Sequence, residues 1–217
     1  RMFTDTERAG YINIDVRETF EKNADMTQLY YYTDHHWTTD GAKLAFDAAA
    51  EKLGLSGVEF ELLPVANRFV GTLASKSGFA NGKADAIKLA VTKDRSKFKK
   101  SVIYYEDTKE KTSSYYKLEN LKLKDAYTVF GGSNHPVYTI KTPTAENRRL
   151  LLVKDSYANS MIPFLMQYYR EIVVVDPRYY YDNIEDLIEM ESINEVMFLY
   201  NANTFFADDS LAMMLTS

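Results

Sequence analysis

"RRLLLVKDSYANSMIPFLMQYYREIVVV", residues 148–175, decides the fold. Residues 148–153 form an apolar run too short for a helix and too continuous for a strand with one wet face, so they read as a strand buried on both sides. "DSYANSMIPFLMQYY" then reads as a helical segment, broken or kinked near Pro163, whose ring cannot sit inside a regular helix. "EIVVV" (171–175) is a second buried strand. Further on, "NIEDLIEMESI" (183–193) reads as a helix and "EVMFLY" (195–200) as a third strand. Strand, helix, strand, helix, strand implies a parallel sheet covered by helices with right-handed crossovers. The expected class is therefore α/β: a three-layer α/β/α sandwich with a mainly parallel sheet.

Two other regions surround this unit. Residues 58–141 read mostly as strands and loops, a strand-rich elaboration in the middle of the chain. "RFVGTLASKSG" (68–78) is an apolar run ending in turn residues, and "FKKSVIYYEDTKEKTSSYYKLENL" (98–121) reads as two aromatic strands around a charged turn. The "KDRSKFKK" run (93–100) reads as a solvated face or loop. The first region ends in a helix with Ala42, Ala45, Phe46, Ala49 and Leu53 on one face, capped by Thr39 or Asp40 and closed by Gly54.

Composition excludes several functions. The 217 residues carry a net charge of −5, with no basic surplus to neutralise phosphates, so no nucleic-acid partner is expected. Absence of cysteine removes disulfides, thiol catalysis and zinc–thiolate sites. No window reaches the apolar length of a membrane helix. The 17 tyrosines and 12 phenylalanines mainly suit a core; a sugar-stacking groove is the sharper alternative. The chain opens abruptly at Arg1, and an upstream segment holding any export signal is expected.

Candidate chemistry lies in three places. In open parallel sheets, sites form at the carboxyl ends of strands, and Ser156 stands there, after the first buried run. Its plain role is a helix cap, or that of bystander to a capping Asp155. Its sharper role is a nucleophile, which needs a base. Two of the chain's three histidines, His35 and His36, follow Asp34 in "YYYTDHHWTTDGAKLAFDAAAEKLG" (30–54). On an extended backbone, Asp34 and His36 project to one side and His35 to the other. His36 is then the base and Asp34 its orienter, with His35 structural. Trp37 either walls the site or packs; with Tyr157 it is the candidate to meet substrate. A metal held by Asp34, His35, His36 and Asp40 is the competing chemistry, but adjacent histidines on an extended chain diverge. No metal and no cofactor are expected. The third place is "YTVFGGSNHPVYTIKT" (127–142): paired glycines Gly131 and Gly132 permit close backbone approach, and Asn134 carries an amide able to hold an oxyanion. An ordinary turn explains the same residues.

The sequence resembles the DHHW family of bacterial proteins. The resemblance rests on Asp34-His35-His36-Trp37 followed by "TTDGA", on "FGGSNHP", and on "LLVKDSYANSMIPFLMQYYREIVVVDPRYY". That family is similar to the alginate O-acetyltransferases, whose domain is SGNH-hydrolase-like and permuted: the acid and base of Asp-x-His-Trp precede the serine of a "GDS" motif. The resemblance implies Asp34, His36 and Ser156 as acid, base and nucleophile. Lys154 stands where the glycine of that motif would be. It also implies one SGNH/flavodoxin-like domain over 1–217 in an extracytoplasmic setting. The expected reaction is serine-dependent acetyl transfer to, or removal from, a cell-envelope or extracellular polysaccharide, with a membrane-bound acetyl donor as a partner. The alternatives are a non-catalytic glycan-binding or assembly protein on the same scaffold, and a metal-dependent hydrolase.

Overall fold

The computed structural model describes residues 9–79, 82–96 and 100–216. Part of the charged run at 93–100 lies outside the described residues. A six-stranded sheet holds the molecule together, in the order β4-β3-β5-β7-β6-β8. Its strands are β3 (Val102–Tyr105), β4 (Lys111–Thr112), β5 (Val137–Lys141), β6 (Arg149–Lys154), β7 (Glu171–Val175) and β8 (Glu195–Leu199). A separate antiparallel pair is formed by β1 (Phe60–Phe69) and β2 (Asp85–Thr92).

The sheet is mixed, which corrects the expectation of a mainly parallel one. The three strands of the deciding stretch and its continuation pair in parallel, β6 with β7 and β6 with β8. The middle region then adds β5, β3 and β4, each antiparallel to its neighbour. Composition reports that a strand is buried; it does not report which way the strand runs.

Both faces of β6 and β7 are covered. Leu150, Leu152, Ile172 and Val174 enter one apolar cluster, while Leu151, Val153, Val173 and Val175 enter another. Alternation at period two thus sends successive residues into different cores, which is why the strands read as unbroken apolar runs. Each such side chain contributes about 1.5–3 kcal/mol by leaving water. The first cluster is closed by a helix, Thr39–Leu53, through Ala42, Ala45, Phe46 and Ala49, with Phe46 stacked on Phe164 at 5.2 Å. Ile184, Leu187 and Met214 help close the second.

The Thr39–Leu53 helix is capped one position earlier than expected: the Thr38 hydroxyl accepts from the Gly41 N–H at 3.1 Å. Gly54 ends it at φ +67, a left-handed backbone that glycine adopts without a Cβ penalty. The segment after β6 is a 3-10 turn, Ser156–Ser160, followed by one short helix, Ile162–Leu165, so the break before Pro163 is observed. "TLASKS" (72–77), read as part of a strand-and-loop region, is a short helix.

Candidate functional site

β6 ends at Lys154, and Asp155 caps the 3-10 turn by accepting from the Tyr157 N–H at 2.9 Å. Its other oxygen accepts from the Asn201 backbone N–H and side-chain amide, at 3.0 and 2.6 Å. Capping therefore falls to Asp155, which leaves the Ser156 hydroxyl free for another partner. That partner is His36, whose Nε2 lies 2.8 Å from Ser156 Oγ.

Asp34 is buried behind His36 and accepts four hydrogen bonds. Oδ1 takes the His36 Nδ1–H at 2.5 Å and the His36 backbone N–H at 3.0 Å. Oδ2 takes the Thr72 N–H at 2.8 Å and the Thr72 hydroxyl at 3.0 Å. Burial alone would raise its carboxyl pKa, but the hydrogen bonds from His36 and Thr72 outweigh this and hold it well below the usual carboxylate range. An ionised Asp34 only accepts, so Nδ1 of His36 carries the proton and Nε2 presents a lone pair to the serine. The structure thus brings Asp34, His36 and Ser156 into one line.

Sequence reasoning missed the residues that hold this line. Asp85 accepts from the backbone N–H groups of Tyr32 and Thr33 and from the Thr33 hydroxyl, at 3.0, 2.8 and 2.6 Å. Thr33 in turn accepts from the Gly71 N–H at 3.0 Å. Gly71 packs so tightly on Asp34 that an added Cβ would overlap the carboxylate. Tyr127 stacks on the His36 ring at 3.7 Å with the planes only 7° apart. None of these carries a motif; each is visible only once the chain is folded.

Several expectations need correction. Of the two roles open to Trp37, the structure shows packing: it is buried, and its indole N–H is shared between the Tyr157 carbonyl and Ser160 Oγ, both at 2.9 Å. It docks the motif onto the serine turn. Tyr157 is half-buried beside His36, with its hydroxyl donated to the His35 carbonyl. His35 does not point away from His36. The backbone bends rather than extends there, and the two rings lie 3.9 Å apart. His35 Nδ1 meets the Thr72 hydroxyl at 2.8 Å. Since that hydroxyl donates to Asp34, His35 is the donor in this contact. Burial and the neighbouring His36 lower the His35 pKa.

Divergence of the histidines is therefore no argument against a metal: Asp34, His35 and His36 offer ligand atoms within 4.8 Å of one another. The hydrogen bonding speaks to the point instead, since both oxygens of Asp34 are already engaged by His36 and Thr72.

At the glycine loop, the donors expected to hold an oxyanion have partners of their own. The Gly131 N–H donates to the Tyr115 carbonyl at 3.2 Å and the Gly132 N–H to the Thr128 carbonyl at 3.0 Å. Asn134 is exposed and donates to the Tyr179 hydroxyl at 3.2 Å. The loop is a turn, with positive φ at both glycines. The Ser156 N–H, by contrast, has no acceptor among the described residues. Lys154, in place of the motif's glycine, points into the core, with Nζ 3.5 Å from Asp176.

A family model described as the SGNH hydrolase-like domain of the acetyltransferase AlgX matches residues 1–136. That span contains Asp34 and His36 and stops short of Ser156. No curated protein matches. Among solved structures, the chain is similar to a DHHW family protein from Eubacterium siraeum, with a TM-score of 0.74 and 23% identity over 93% of this chain and 68% of that one. It is also similar to Bacillus cereus PatB1 with a sulfonyl adduct, with a TM-score of 0.72 and 21% identity over 91% of this chain and 70% of that one. At these identities the likeness establishes the fold.

Proposed function

Since the chain belongs to the family of the SGNH hydrolase-like domain of the acetyltransferase AlgX, we propose that it transfers an acetyl group through Ser156, with a cell-envelope or extracellular glycan as acceptor or substrate. The observation that carries this reading is the line Asp34–His36–Ser156, at 2.5 and 2.8 Å. His36 Nε2 takes the hydroxyl proton as Ser156 Oγ attacks the acetyl carbonyl carbon. The tetrahedral oxyanion is received by the Ser156 N–H. Collapse breaks the bond to the donor's oxygen, which leaves with the proton from His36. An acetyl-serine remains. A sugar hydroxyl, or water, then loses its proton to His36 and attacks the same carbon, and Ser156 departs reprotonated. Asp34 keeps the imidazole in the required tautomer and stabilises the imidazolium.

We read the architecture as one three-layer α/β/α domain, supported by the separate apolar clusters on the two sheet faces. The setting we propose is extracytoplasmic, with a membrane-bound acetyl donor. No helix among the described residues is long and apolar enough to cross a membrane.

PatB1 has been captured with a sulfonyl adduct, and a sulfonyl fluoride is the direct probe here. Intact-mass measurement should show one adduct on the wild-type chain and none on Ser156→Ala. Equal labelling of both would remove serine catalysis and leave a glycan-binding role for the scaffold.

A further inference from the structure

Tyr127 touches both the base and the nucleophile's backbone. Its ring lies flat against His36, 3.7 Å away with the planes 7° apart. Its hydroxyl donates toward the Ser156 carbonyl at 3.1 Å and Ser160 Oγ at 3.3 Å. Ser160 also receives the Trp37 indole N–H at 2.9 Å, so the same hydroxyl pair joins the Asp34–Trp37 segment to the serine turn. Burial raises the Tyr127 pKa far above its usual value, so it acts as a neutral phenol throughout. His35 covers the opposite side of the His36 ring at 3.9 Å, which leaves His36 held between two rings.

We propose that Tyr127 is a positioning residue for the Asp34–His36–Ser156 line. Its ring fixes the plane in which the imidazole meets Asp34 on one edge and Ser156 on the other. Its hydroxyl fixes the peptide from which Ser156 projects. The electron-rich face of the phenol also favours the imidazolium formed when Ser156 gives up its proton. Asp34 grips only one edge of the imidazole; without Tyr127 one face of the ring loses its support, and the ring can tilt away from His35 and from the serine. The effect on turnover rests on the acyl-transfer reading above. The effect on ring geometry does not.

The experiment compares wild type, Tyr127→Phe and Tyr127→Leu by proton NMR and by hydrolysis of p-nitrophenyl acetate. The chain has three histidines, so the low-field proton between His36 Nδ1 and Asp34 is assignable by comparison with His36→Gln. Tyr127→Phe keeps the stack; it should retain the low-field signal and lose no more than about tenfold in kcat, the worth of one hydrogen bond. Tyr127→Leu should lose or broaden that signal and drop kcat by about 10²-fold with KM unchanged, the penalty of a slightly misplaced group. Retention of the signal in a folded Tyr127→Leu would overturn the proposal. Loss of the signal in Tyr127→Phe as well would overturn the role of the ring. If the wild type shows no hydrolysis, the acyl-transfer reading fails while the NMR comparison still decides the positioning role.

Discussion

Nε2 of His36 and Oγ of Ser156 stand 2.8 Å apart, although 120 positions separate them along the chain. Residues that act as one unit are not additive. Ser156→Ala and His36→Ala should each lower kcat/KM for an acetyl ester by about 10³-fold or more, and the double variant should be no worse than the single ones. A double variant that loses the product of the two effects would mean the residues act separately.

Asp34→Asn should lower kcat by about 10⁴-fold, because an amide no longer dictates the His36 tautomer. It should also alter acid stability. The Asp34 carboxyl titrates below its ordinary 3.8 in the folded state, so its contribution is fully present above about pH 4 and is lost as pH falls through the folded titration. Urea midpoints of wild type and variant should differ most near neutrality and converge toward pH 2. A gap that widens in acid would contradict the sign.

Gly71→Ala should be nearly as damaging as loss of Asp34 itself. The added methyl would overlap the Asp34 side chain, and the preceding residue, Thr33, is held by Asp85. Gly71 sits at φ −84, which any residue adopts, so the loss would be steric rather than conformational. Activity and thermal melting are the checks: absent activity with a lowered melting temperature is the expected result, and full activity would show that Asp34 has room to move.

The buried charges below the serine should govern stability rather than turnover. Asp176 receives Lys154 at 3.5 Å and Arg178 at 2.6 Å. Asp176→Ala strands two cations and should cost about 3–5 kcal/mol in a denaturant titration, whereas Lys154→Met, which removes a poorly paired buried charge, should be near neutral. A severe loss from Lys154→Met would indicate that Lys154 does more than fill its place in the core.

A chelator should leave acetyl-ester turnover unchanged, because Asp34 already spends both oxygens on His36 and Thr72. Turnover abolished by EDTA and restored by zinc would transfer the chemistry to a metal at Asp34, His35 and His36.

The parallel heart of the fold was legible because β6 and β7 bury every residue of Leu150–Val153 and Ile172–Val175, and doubly buried strands have no polar alternation to obscure them. Strand direction in the middle region was not legible, since Ile103 and Ile140 look alike whichever way their strands run. At the site, Asp34, His36 and Ser156 stood out through residue type and spacing. Thr72 and Asp85 did not, because a hydroxyl or carboxylate that braces a loop has no signature until its partner is adjacent. The reasoning about His35 failed on a single premise, an extended backbone; the chain bends there and stacks the two rings instead.

The wide gap in chain between the imidazole and its alcohol has a consequence for biogenesis. The Asp34–Trp37 segment leaves the ribosome long before β6 is made, and His36 meets Ser156 only after distant strands have paired, the slowest kind of contact to form. On the proposed reading a half-folded chain lacks its base–nucleophile pair, and recovery of acetyl-ester turnover during refolding should trail the return of secondary structure.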